Sequence, residues 1–95
     1  MARKRSTDTK GRQFTDERIE EVWEKGKKMH SKDPDLYRKD SEGNVIHKPS
    51  YGKKLGMGWE VDHINPVDKG GSDNLRNLQP LQTEENKEKG KTYPW

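Results

Sequence analysis

The chain has 95 residues, 24% of them hydrophobic and 39% charged, which bounds it to one domain with a small core. It has no cysteine, which excludes disulfides and thiolate zinc sites, so the one staple open to it is a metal. No secretory leader is recognisable and no apolar run approaches the roughly 18 residues of a membrane span, so the protein is expected to be soluble and cytoplasmic, with no membrane partner.

The net charge of +3 is unevenly placed. Residues 1–12 carry Arg3, Lys4, Arg5, Lys10 and Arg12 against a single acid, Asp8, while the remainder holds 15 basic and 16 acidic groups. A basic arm on a nearly neutral body suits a polyanion, because each neutralised phosphate releases counterions; the same composition also describes a leader that only aids solubility. Residues 1–13 show no apolar periodicity and are expected to be a disordered arm, with 14–95 forming the domain.

A helix is predicted from Phe14 onward. Thr15 is a suitable N-cap, Asp16 and Glu17 place acid against the helix dipole, and Phe14 and Ile19 hold the two positions of a hydrophobic staple. Ile19, Val22, Trp23, Gly26 and Met29 or His30 recur at intervals of three and four, so the helix should run to about Ser31, ahead of Asp33-Pro34, with Trp23 in the core. Residues 36–48 read as a hairpin turning at Ser41-Glu42-Gly43-Asn44. His30 and His47 lack a carboxylate at useful spacing and read as surface residues. Lys53 and Lys54 are either phosphate contacts or simply solvated.

Residues 59–64, W-E-V-D-H-I, form a strand with Trp59 and Val61 on one face and Glu60, Asp62 and Ile64 on the other. Strict alternation sends Asp62 and His63 to opposite sides, so a shared cleft would require the strand to bulge, twist or end there. Leu75, Leu78 and Leu81 belong to a return segment that pairs antiparallel with it. Thr83, Glu84 and Glu85 then start a short helix, with Thr83 as its cap and Gly90 just past its end.

Asp62 and Asn86 offer hard oxygens of the kind Mg²⁺ or Mn²⁺ accepts while keeping several waters. His63, with an unperturbed pKa of about 6.5, can take a proton from water near neutral pH. Each also has a plainer reading: Asp62 as a residue that only fixes a histidine tautomer, Asn77 as a turn residue, and Asn86 as a cap of its own helix.

Taken together, D-H-I-x-P-x-x-x-G-G-x-x-x-x-x-N-L-x-x-L-x-x-x-x-N-x-x-K resembles the HNH endonuclease family, whose ββα-metal motif is a two-stranded hairpin followed by a helix. The resemblance spans about Trp59 to Lys91. It implies an α+β fold, in which an N-terminal helix and β-hairpin precede a ββα-metal core at about 58–91. It also implies a metal-dependent endonuclease that leaves 5′-phosphate and 3′-hydroxyl ends. On it, Asp62 and Asn86 are the metal ligands, His63 is the general base, and Asn77 braces the loop that carries the base. The Cys-x-x-Cys pairs of many members are absent, so no structural zinc is expected and the scaffold must rest on Trp23, Trp59 and the leucines. Colicin-type members have histidines where this chain has Asn86 and Gly90, which leaves two oxygen ligands and favours one Mg²⁺ or Mn²⁺. The expected partner is DNA, double-stranded and read with weak sequence preference, held by Lys87, Lys89, Lys91, Arg3, Lys4 and Arg5. A homodimer or a larger DNA-processing assembly would be compatible. The alternative is a non-catalytic nucleic-acid-binding module of the same fold.

Overall fold

The computed structural model describes residues 5–86. In chain order it contains α1 (Asp16–Trp23), β1 (Tyr37–Lys39), β2 (Val45–His47), β3 (Trp59–His63) and β4 (Leu78–Gln82), with single 3-10 turns at Lys48–Ser50, Val67–Lys69 and Leu75–Asn77. Residues 83–86 are helical. β1 pairs antiparallel with β2, and β3 with β4, making two separate two-stranded sheets. The fold is therefore α+β, in the expected order. Among the described residues no helix is long and apolar enough to cross a membrane.

α1 starts where its sequence dictates: the Thr15 hydroxyl accepts from the Arg18 amide at 3.1 Å, and Asp16 and Glu17 occupy the first turn. It ends at Trp23, well short of the expected Ser31. The reason is tertiary. Lys27 and Lys39 exchange two backbone hydrogen bonds of 2.8 Å, which draws the chain after Gly26 out alongside β1. The buried Arg38 guanidinium then takes the carbonyls left open at the helix end, donating to Glu24 O at 3.0 Å, while its Nε donates to Pro34 O at 2.8 Å. Gly26 lies against the Arg38 stem, where a Cβ would come within 3.0 Å of Arg38 Cβ.

The core joins α1 to both sheets: Val22, Trp23, Ile46, Trp59, Val61 and Leu78 form one cluster, with Phe14, Ile19, Tyr51 and Leu75 packed on it. The rings of Trp23 and Trp59 lie 5.1 Å apart, and each indole N–H finds a carbonyl, of Pro34 and of Lys48 respectively, so neither buried ring leaves a donor unmet. Lys25 reaches from the end of α1 to donate to the carbonyls of Leu75 and Leu78, which ties the helix to the turn leading into β4.

Asp40 links the two sheets. Its buried carboxylate accepts from the amides of Glu42 and Asn44 inside the β1–β2 turn and from the Gln82 amide at the end of β4, at 3.0, 2.8 and 2.8 Å. Asp40→Ala strands these donors, and a loss of about 2 kcal/mol is expected in urea denaturation. Asp40→Asn, which keeps one acceptor oxygen, should lose less; equal losses would show that the carboxylate's bonds are not what matters.

Residues 5–13 form a turn. Thr7 is buried and bridges Gln13, and Asp8 closes the turn between them by accepting from the amides of Lys10 and Arg12 and from Arg12 Nε. Backbone and Asp8 side-chain hydrogen bonds hold this turn, not an apolar stripe, so hydropathy gives no sign of it.

Candidate active site

β3 carries the candidate site residues Asp62 and His63. All five of its residues are buried, so the strand is covered on both faces rather than half exposed. Its register with β4 runs without interruption from Trp59 opposite Gln82 to His63 opposite Leu78. Pro80, which has no N–H, lies opposite Val61, whose own amide takes a bond from outside the ladder by donating to Ser6 Oγ at 3.0 Å. No bulge brings Asp62 and His63 to one side; the strand simply ends at His63.

On one face stand Glu60 and Asp62, 7% and 6% exposed. Asp62 Oδ2 accepts from Gln79 Nε2 of the facing strand at 2.9 Å, which fixes the carboxylate in its rotamer. Asn86, 8% exposed, donates its amide nitrogen to Glu60 Oε1 at 2.8 Å. The helical residues 83–86 thus set Asn86 on the face that carries Asp62, and the bond to Glu60 leaves the amide oxygen as the atom to meet a cation. The Thr83 hydroxyl donates to Lys53 O at 2.7 Å and anchors the helix to the loop before β3. Among the described residues no three His, Cys, Asp or Glu side chains gather into a metal-binding group. A carboxylate and an amide oxygen do suit a hard divalent cation that keeps most of its water.

His63, 5% exposed, sits on the other side of the strand end. Its ring lies 5.9 Å from that of Phe14, and its Nε2 is 2.8 Å from Asp73 Oδ1. Asp73 in turn accepts from the Thr9 amide at 3.1 Å and the Thr9 hydroxyl at 2.8 Å. Burial pushes the Asp73 carboxyl up, but the hydrogen bonds from His63 and Thr9 outweigh it and hold the group below its ordinary value. The contribution of these contacts to stability is therefore present above the unfolded carboxyl's pKa of about 3.9 and is lost as pH falls through the lower folded value.

Asn77 closes the loop between the strands. Its Oδ1 accepts from the Asn65 amide at 2.8 Å, and its Nδ2 donates to the carbonyls of Asn65 and Ser72 at 3.1 and 2.8 Å. Its backbone carbonyl accepts from the Ile64 amide at 2.8 Å. Asn77 thus ties the two residues that follow His63 to the far limb of the loop, Asn65 through its side chain and Ile64 through its backbone.

Two participants escape a reading of the sequence, Glu60 and Asp73. Glu60 looks like one more outward residue of an alternating strand, and Asp73 like a turn residue after Gly70-Gly71-Ser72; only tertiary register brings each to its partner. Of the expected phosphate contacts, Arg5 has its Nε on Glu60 at 3.1 Å, and Lys87, Lys89, Lys91, Arg3 and Lys4 lie outside the described residues. His30 is exposed, and His47 is half-buried with its Nδ1 2.9 Å from Ser50 Oγ.

Residues 47–92 match the family model described as HNH endonuclease. No curated protein and no solved structure gives a significant match to the chain.

Proposed function

The chain belongs to the HNH endonuclease family through residues 47–92, and on that premise we propose that it hydrolyses DNA phosphodiester bonds with the help of one divalent metal, Mg²⁺ or Mn²⁺. The observation that carries this reading is the burial of Asp62, His63 and Asn86 at 5–8% exposure around the end of one strand. Burying polar side chains costs stability unless each is well paired, and a chain with so small a core has little to spare. Keeping three of them at one strand end, Asp62 and Asn86 on one side with Gln79 and Glu60 and His63 on the other with Asp73, is reasonable as the requirement of a site.

In this reading His63 takes a proton from water as it attacks phosphorus in line. Asp62 and Asn86 would hold the cation, which when bound supplies charge neutralisation for the crowded phosphate and the departing 3′-oxygen. Gln79 keeps Asp62 in place, Glu60 keeps the Asn86 amide from turning over, and Asn77 keeps the chain after His63 from swinging away. Lys87, Lys89, Lys91, Arg3 and Lys4 contribute phosphate contacts, which position the duplex without reading its sequence. With weak sequence preference, binding should depend steeply on salt.

Supercoiled plasmid incubated with the protein and Mg²⁺ or Mn²⁺ should be nicked or linearised, and EDTA should stop the reaction. Salt-sensitive DNA binding with no cutting under either metal would replace the enzyme by the non-catalytic binding module.

A further inference from the structure

The carboxylate of Asp73 has no part in the reaction as described, yet it is the partner of the base. It reaches His63 Nε2 at 2.8 Å from the loop between β3 and β4, and it does not move freely there: the Thr9 amide and hydroxyl grip both of its oxygens from the N-terminal turn. The ring it meets is itself confined, 5.9 Å from Phe14 and almost fully buried. An ionised carboxylate accepts hydrogen bonds and donates none, so the nitrogen facing it must carry the proton.

We propose that Asp73 is a positioning residue for His63, holding the imidazole as the Nε2–H tautomer with its basic lone pair on Nδ1, and that the turn formed by residues 5–13 belongs to the site because Thr9 holds Asp73 in place. The catalytic half of this proposal rests on His63 being the base of a nuclease. In the neutral enzyme Nδ1 receives the proton of the attacking water, Nε2 keeps its own, and the imidazolium so formed is stabilised by the charge on Asp73. The basic N-terminal segment then does more than attract DNA: its ordered part fixes the orientation of the base.

The test compares wild type, Asp73→Ala and Asp73→Asn. Nitrogen-15 NMR of the histidine rings, at a pH where His63 is neutral, should show the Nε2–H tautomer in wild type and a mixture of tautomers in Asp73→Ala. Asp73→Asn, which keeps an oxygen for the Nε2–H, should restore the single tautomer, and this recovery separates a lost hydrogen bond from a damaged fold. In plasmid cleavage, Asp73→Ala should lower kcat about 10- to 100-fold with KM for DNA unchanged, since a positioning partner acts on the chemical step and not on binding. An unchanged Nε2–H tautomer in Asp73→Ala, or an unchanged kcat, overturns the proposal. If wild type itself does not cut DNA, the enzyme reading fails, and the tautomer measurement still decides whether Asp73 orients the ring.

Discussion

His63→Ala is expected to slow plasmid cleavage about 1,000-fold while leaving DNA affinity near that of wild type, because in the proposed mechanism the ring moves a proton and does not hold phosphate. Asp62→Ala should fail differently. It removes the carboxylate that Gln79 orients, so activity should fall and the metal concentration needed for half-maximal rate should rise, whereas His63→Ala should keep the metal dependence of wild type. Both side chains are almost fully buried, so each variant needs a thermal melt or tryptophan emission spectrum to show that Trp23 and Trp59 remain packed. With folding intact, the pair of results separates the base from the ligand. Equal residual cutting in wild type and both variants would mean that the activity belongs to a contaminant or that the site has been assigned to the wrong residues.

The parts of this molecule legible from sequence are those whose causes are local. Thr15 caps α1 because a hydroxyl followed by two acids suits a helix start, and the β1–β2 hairpin turns at Gly43, whose φ of 85° is one that glycine adopts freely. The pairing of β3 with β4 follows from two apolar segments separated by a Gly-Gly loop, and the core rests on Trp23, Trp59, Leu78 and Leu81, as a chain without cysteine requires. What sequence does not reveal depends on contacts between distant segments. The end of α1 is decided by Arg38 and by the Lys27–Lys39 bridge, so an apolar periodicity that continues to Met29 overruns it. The turn at residues 5–13 is held by Asp8, and it is anchored to the domain through Ser6, Thr9 and Arg5, whose partners lie more than 40 residues away. The opposed directions of Asp62 and His63 are legible from alternation, but not their resolution. The strand ends without a bulge, Asn86 comes to the Asp62 side through Glu60, and Asp73 comes to the His63 side.

Gly71→Ala should be the most damaging single-methyl change in the loop that follows His63, costing about 3 kcal/mol, while Gly70→Ala next to it should cost about 1 kcal/mol. The two glycines are required for different reasons. Gly70 has φ of 88°, and an added Cβ meets nothing within 4 Å, so alanine there brings only backbone strain. Gly71 is buried against the opposite limb of the loop, where a Cβ would fall 1.7 Å from Asn65 O, 2.7 Å from Asn65 C and 3.0 Å from Asn77 Nδ2. The nearest atoms are backbone, so no side chain can rotate away, and the limbs must separate. Separation breaks the clamp, because the Asn65 amide and carbonyl are two of the groups that Asn77 holds. Asn65 follows His63 by two residues, so the same movement releases His63, the proposed base, from its place. Denaturant titration should therefore show a much larger loss for Gly71→Ala than for Gly70→Ala, and under conditions where both remain folded only Gly71→Ala should lose most of its cleavage rate. Equal losses for the two variants would show that the close approach at Gly71 is not what holds the loop, and the bracing role of Asn77 would fall with it.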